Sequence, residues 1–367
     1  MRSEVSQRLL HSVLDLDDSE LTDVWKTVEA ISDYKYDSYQ QFAPGLRFTE
    51  SLCLWLEQFN LIKERLVAYN FIKNNLIFVS SDEMKHLIRM AYPDCIKSYL
   101  IDKVSEETNI PNYHIKKILN HDSFKFLKAR SLFLGLSDGS HIDDFRRFSQ
   151  IRHEQVYSTY LISTEKSKDF IKKLKKYLKD TFANTDDAKF ETAFLLDDFS
   201  GSGYSFLHKE DGDYDGKIVR FYKSIISNQE LKDLFDLEKL KICVVLYMAT
   251  SKARDKIEKL GKDYFKPKSV DFSIKVIHEL KENILINNSD HTDLFPILQK
   301  YYTKKIESES YKKGNMDNPF LGFDGCALPL VLYHNCPNNS IPILWMDPEH
   351  YSPRRGIFPR TERFLKE

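Results

Sequence analysis

The stretch FLLDDFSGSGYSFL, residues 194–207, runs three apolar residues into two adjacent aspartates and then into glycines and hydroxyls. Ionised carboxylates only accept hydrogen bonds, so Asp197 and Asp198 suit sugar hydroxyls or a metal ion. Gly201 and Gly203 permit positive φ and let backbone come close to a ligand. Successive N–H groups in such a turn form an anion nest, to which Ser200, Ser202 and Ser205 add hydroxyls. The residues that follow, YSFLHK from Tyr204, can open a helix, whose N-terminus also favours an anion. Acids beside an anion nest suit a sugar phosphate. Two other phosphate motifs are excluded. The GxxxxGK[ST] lysine is absent, and Phe206 stands where GxGxxG requires glycine.

A second polar loop, Ser137-Asp138-Gly139-Ser140, follows the apolar run RSLFLGLS and precedes DDFRR. Its Ser and Asp are either ligand groups or ordinary helix caps. Arg146 and Arg147 behind it are either anion contacts or surface residues. A third, HNCPNNS at 334–340, offers the imidazole of His334 and the amides of Asn335, Asn338 and Asn339. These could read a base edge with Trp345 stacked on it, although Asn and Pro also make turns without a ligand. Cys336 and His334 have no third orienting group and make a poor nucleophile pair. The run from Asp211 to Gly216 matches the first half of a calcium loop. Tyr222 then occupies the twelfth position, where glutamate is needed, so the run reads as an acidic surface turn.

These loops need a scaffold. From about residue 128, apolar runs alternate with amphipathic stretches. Strands are predicted over 130–137, 156–164, 191–200, 241–251, 269–280 and 327–335. Such alternation implies an α/β fold with a mostly parallel, doubly wound sheet. Ligands bind beyond the carboxyl ends of such strands, which aligns all three polar loops along one edge. Residues 1–125 are mainly helical by apolar spacing, with one short strand-like run, LIFVS, at 76–80. Helix, helix, strand, helix fits either a winged helix or a helical packing domain. The predicted division is therefore 1–125 and 126–367.

The bulk composition narrows the function classes. With 54 Lys and Arg against 55 Asp and Glu, the net charge of -1 gives no global field for nucleic acid. A protein or nucleic-acid partner would have to use a local surface of residues 1–125. The basic run at 172–179 reads as a solvated helix face. No run is long and apolar enough for a membrane span, and the first twenty residues lack a secretory signal core. Five scattered cysteines show neither metal spacing nor a disulfide framework, which fits a reducing cytoplasm.

The order apolar strand, Asp-Asp, small residues, Gly, any residue, Ser/Thr resembles the diphosphoribosyl-binding signature of type I phosphoribosyltransferases. FLLDDFSGSGYS is in register over the whole signature. The resemblance implies a phosphoribosyltransferase-type sheet and a ligand such as phosphoribosyl pyrophosphate or a nucleotide, carried with Mg²⁺. It makes Asp197 and Asp198 the ribose-binding catalytic acids, and residues 200–205 the 5′-phosphate loop. It makes Ser137, Asp138, Gly139 and Ser140 the pyrophosphate loop. Over about 130–345, GLSDGSHIDDFRR, LLDDFSGSGYS and YHNCPNNSIPILW together resemble a bacterial group of phosphoribosyltransferase-like proteins. These carry a helical or winged-helix N-terminal extension and are associated with anti-phage systems. The sequence departs from the family in two ways. KEDGDYDGK at 209–217 interrupts the element after the phosphate loop, and no catalytic loop with a lysine or arginine pair is evident. The departures set an enzyme of this type against an inactive nucleotide sensor, or a nucleic-acid-binding regulator acting through residues 1–125.

Overall fold

The computed structural model describes residues 3–182 and 188–360. The chain divides into two compact units, one of Lys85–Leu280 and one of Met1–Met84 with Lys281–Glu367. The strands are β1 (Ile77–Val79), β2 (Ser131–Gly135), β3 (Val156–Tyr157), β4 (Thr192–Ser200), β5 (His208–Glu210), β6 (Asp213–Asp215), β7 (Lys241–Thr250), β8 (Asp271–Leu280) and β9 (Leu330–Leu332).

The unit of Lys85–Leu280 is built on a five-stranded sheet in the order β3-β2-β4-β7-β8, every pair parallel. Numbered within this sheet, the order is 2-1-3-4-5, a doubly wound topology that reverses direction between β2 and β4. The central strands are buried on both faces, which explains their nearly unbroken apolar sequence. Alternation gives the faces different partners. Leu132, Leu134, Ala193, Leu195, Ile242 and Val244 join a core with Phe170 and Leu174 of the helix Thr164–Phe182. Phe194 turns the other way, stacks on Phe133 at 5.0 Å and meets Tyr99 edge-on at 5.6 Å.

Tyr99 belongs to the helix Lys97–Thr108, whose Lys103 also pairs with Asp271 on β8 at 3.0 Å. Helices between 85 and 125 cover the sheet, so 125/126 is not where the compact units part. Two strand predictions change. The second predicted strand is reduced to Val156–Tyr157, and the sixth is not part of the main sheet.

The other unit holds that sixth strand. β9 pairs with β1 in parallel, Ile77 opposite Leu330 and Val79 opposite Leu332. The strand-like run at 76–80 therefore finds its partner more than 250 residues downstream rather than in a wing hairpin. Aromatic packing closes this unit. Phe358 lies 5.7 Å from both Tyr36 and Phe48, and 5.6 Å from Phe78. Trp55 donates its indole N–H to Ile343 O at 2.8 Å. No described helix is long and apolar enough to cross a membrane.

Candidate functional site

The two acids lie inside β4, not beyond its end. Asp197 pairs in register with Leu246 and the ladder continues to Ser200 opposite Ala249. Strand alternation therefore still separates the carboxylates. Asp197 is 1% exposed and Asp198 is half-buried. Three donors surround Asp197. Ser137 Oγ and Asp198 N–H both donate to Oδ1, and Lys217 Nζ reaches Oδ2 at 2.8 Å. Burial pushes the Asp197 carboxyl up to about 6, opposed by the Lys217 ammonium and reinforced by the neighbouring Asp198. Asp198 accepts from Phe199 N–H at 2.8 Å.

The loop after β2 comes to these acids across the topological reversal. It turns through a short 3₁₀ segment, Asp138–Ser140, before the helix Ile142–Ser149. Gly139 rests on Asp198, where a Cβ would fall 2.5 Å from Oδ2. Gly135 has no room for a side chain either, with Ser140 Oγ and Ser158 O in the way. Tyr247 on β7 donates its hydroxyl to Ser140 O at 2.7 Å, and burial with the nearby carboxylates holds its phenol well above the usual range. Beside this loop lies a cleft of about 320 Å³, lined by Asp138, Ser140, His141, Asp144 and Arg147 among others.

The loop after β4 is tightly closed. Ser200, Gly201, Ser202 and Gly203 are buried, Tyr204 is half-buried and Ser205 is exposed. Gly203 has φ +74, the left-handed region that favours glycine. Ser200 Oγ accepts from Gly203 N–H at 3.2 Å, and Ser202 Oγ from Tyr204 N–H at 3.3 Å. Thr250, at the end of β7, donates to Gly201 O at 2.6 Å and caps the helix Ser251–Phe265 through Ala253 N–H. The predicted helix after Tyr204 does not form. The chain makes a β5–β6 hairpin instead, whose Asp211 and Gly212 both have positive φ, the conformation that an Asp-Gly hairpin turn requires. The helix begins only at Lys217, behind Gly216, whose φ of 121 and contact with Phe206 O exclude a side chain.

The third loop belongs to the other compact unit. Trp345 is 3% exposed and donates to Ser340 O at 2.8 Å, which makes it a core residue rather than an open stacking surface. Asn339 is buried and donates to Phe323 O, while His334 O accepts from Gln41. His334, Asn335 and Asn338 are half-buried.

Sequence reasoning missed Lys217 and Tyr247. A lysine in the first turn of a helix opposes the helix dipole, so it needs an acid to offset that cost. The tyrosine is the one hydroxyl-bearing aromatic in the buried run KICVVLYMA, and a buried phenol needs a hydrogen-bond acceptor. Among the described residues, no group of three or more His, Cys, Asp or Glu is arranged to hold a metal ion.

Comparison with known proteins identifies a family. No curated protein and no solved structure matches the chain. The PRTase-CE family model matches residues 52–360, a span that includes every strand of both sheets described above and the two loops that meet at Asp197 and Asp198. The chain belongs to the PRTase-CE family, a phosphoribosyltransferase-type family.

Proposed function

We propose that the reversal point between β2 and β4 binds a phosphoribosyl ligand, either phosphoribosyl pyrophosphate or a nucleotide. The observation that carries this reading is the convergence of the two loops. Ser137 bonds to Asp197 and Gly139 lies against Asp198, so the 137–140 loop and the acid pair border one site. Asp198 takes ribose hydroxyls. The 200–205 loop takes the 5′-phosphate, its N–H groups exchanging the long bonds to Ser200 and Ser202 for phosphate oxygens. The diphosphate lies toward 137–140 and Arg147.

The cleft beside that loop carries Asp138, Asp143 and Asp144 against one arginine, a balance that opposes a bare diphosphate. It suits a diphosphate that arrives with Mg²⁺. Asp138 and Asp144 would supply one or two ligands, with diphosphate oxygens and water completing the shell. The ion would neutralise charge on the leaving diphosphate. The chain's own groups would hold ribose and phosphate in line for attack by a nitrogenous base, a contribution of positioning and electrostatics.

The decisive measurement is calorimetric titration with phosphoribosyl pyrophosphate and Mg²⁺. Wild type should bind, and Asp198→Asn should weaken binding about tenfold or more, as expected for a charge-assisted contact. No binding by folded wild type would sink the reading. A second reading, a sensor that binds the ligand without turnover, is favoured by one observation. Asp197 is already engaged by Ser137 and Lys217. Product release after ligand addition would sink it. A role in anti-phage defence rests on sequence likeness alone, and equal phage plating on cells carrying wild type or Asp198→Asn would remove it.

A further inference from the structure

Two acids side by side in sequence meet different surroundings. Asp197 is buried and receives donors on both oxygens, from Ser137 and Asp198 N–H on Oδ1 and from Lys217 on Oδ2. Asp198 is partly exposed and borders Gly139. The donors to Asp197 come from three separate segments, namely the loop after β2, β4 itself and the helix Lys217–Ser227. Lys217 is set there deliberately by the fold. It occupies the first position of that helix, where the dipole disfavours a cation. Gly216 before it adopts a φ of 121 and fits against Phe206 O where no side chain would. Lys217 also lies over the Phe206 ring at 4.9 Å, and its side chain is 22% exposed. An ammonium held this way, at the cost of the helix dipole, answers a specific buried charge.

We propose that Lys217 is a positioning residue, which acts through Asp197 to hold Ser137 and the 137–140 loop in place and leaves Asp198 as the acid that meets the ligand. The proposal rests on the phosphoribosyl reading for the identity of that ligand, but not for the clasp itself. Removing the ammonium leaves Asp197 buried without its cation, and the carboxylate then drifts toward water or protonates. Either change loosens Ser137. The loop it carries is otherwise held by Ser140 N–H to Ser137 O at 3.1 Å and by Tyr247 to Ser140 O. Loss of the clasp is therefore read out on the Ser140 amide.

The test uses the full chain with Lys217→Met, Lys217→Arg, Ser137→Ala and the Lys217→Met/Ser137→Ala pair. Amide hydrogen exchange of the 136–141 segment is measured without ligand. Lys217→Met should speed exchange at Ser140 about tenfold or more, Lys217→Arg should restore most of the protection, and Ser137→Ala should match Lys217→Met. The double variant should exchange no faster than either single one, because both cut the same clasp. Unchanged exchange in folded Lys217→Met, or additive effects in the double variant, would overturn the proposal. If Lys217→Met does not fold, Ser137→Ala decides alone, and unchanged exchange there overturns it. Titration with phosphoribosyl pyrophosphate and Mg²⁺ then separates the two ideas. Wild type that fails to bind ends the ligand reading, while the exchange data still judge the clasp. If wild type binds, Lys217→Met should bind about tenfold more weakly and Lys217→Arg should recover.

Discussion

The two ends of the five-stranded sheet treat charge differently. At the amino ends of β2 and β4, Arg130 and Glu191 form a buried pair at 2.5 Å, with the guanidinium over the Phe126 ring at 4.4 Å. Arg130 O also accepts from Glu191 N–H and Thr192 N–H. The hollow there is the larger one, about 470 Å³, lined by Phe126, Leu127, Phe182, Lys239 and others. At the carboxyl ends, a smaller cleft of about 320 Å³ adjoins an acid pair, two glycines with no room for a side chain, and a lysine brought in from a later helix. One end pairs its buried charges with each other, Arg130 with Glu191. The other holds a carboxyl raised by burial beside a second carboxyl in partial contact with solvent. The two ends differ less in cavity size than in how unequally the carboxyl end treats its neighbouring acids.

The sharpest way to break this contrast is at the amino end. Glu191→Gln leaves the Arg130 cation buried without its counter-charge, and unfolding in urea should show a loss of about 3–5 kcal/mol. Phosphoribosyl pyrophosphate binding by the folded fraction should be unchanged. A loss of binding with no loss of stability would show that the amino end also serves the ligand.

At the carboxyl end the expected effect is smaller and depends on pH. The folded Asp197 carboxyl, at about 6, lies above its unfolded value of about 4. The folded state thus holds the proton more tightly. Asp197 contributes stability that is complete below pH 4 and is lost as pH rises through about 6. The groups facing it are Lys217, Asp198 and the Tyr247 phenol. Relative to Asp197→Asn, wild-type stability should fall by about 2–3 kcal/mol between pH 4 and pH 7. A flat difference between the two proteins across that range would refute the raised carboxyl. The smallest effect is expected from Tyr247→Phe. It removes one buried hydrogen bond to Ser140 O and should cost about 1 kcal/mol in the same unfolding measurement. A neutral result would mean that the loop is held without Tyr247.

Much of the carboxyl end was legible because it is local. Apolar runs that alternate with helical stretches do form a parallel α/β sheet, and the loop after RSLFLGLS does turn into a helix as predicted. The element after the acid loop was misread because nothing within YSFLHK itself forbids a helix start. The Asp211-Gly212 turn and the fixed backbone of Gly216 instead favour a hairpin. The strand at 327–335 was assigned to the main sheet because its apolar pattern says only that it is buried, not against what.

The sequence by itself determined the family and the position of the acid loop, because both depend on a short contiguous order of residue types. Only the tertiary structure decided which acid is enclosed, since that choice depends on Ser137, sixty residues before Asp197, and on Lys217, twenty after. It also decided that β1 pairs with β9, since backbone pairing is set by which strands meet and not by either sequence alone. Local pattern fixes what a segment can form. The partners of a buried charge or a strand edge are chosen where distant segments meet, and there the free energy of leaving them unpaired selects the arrangement.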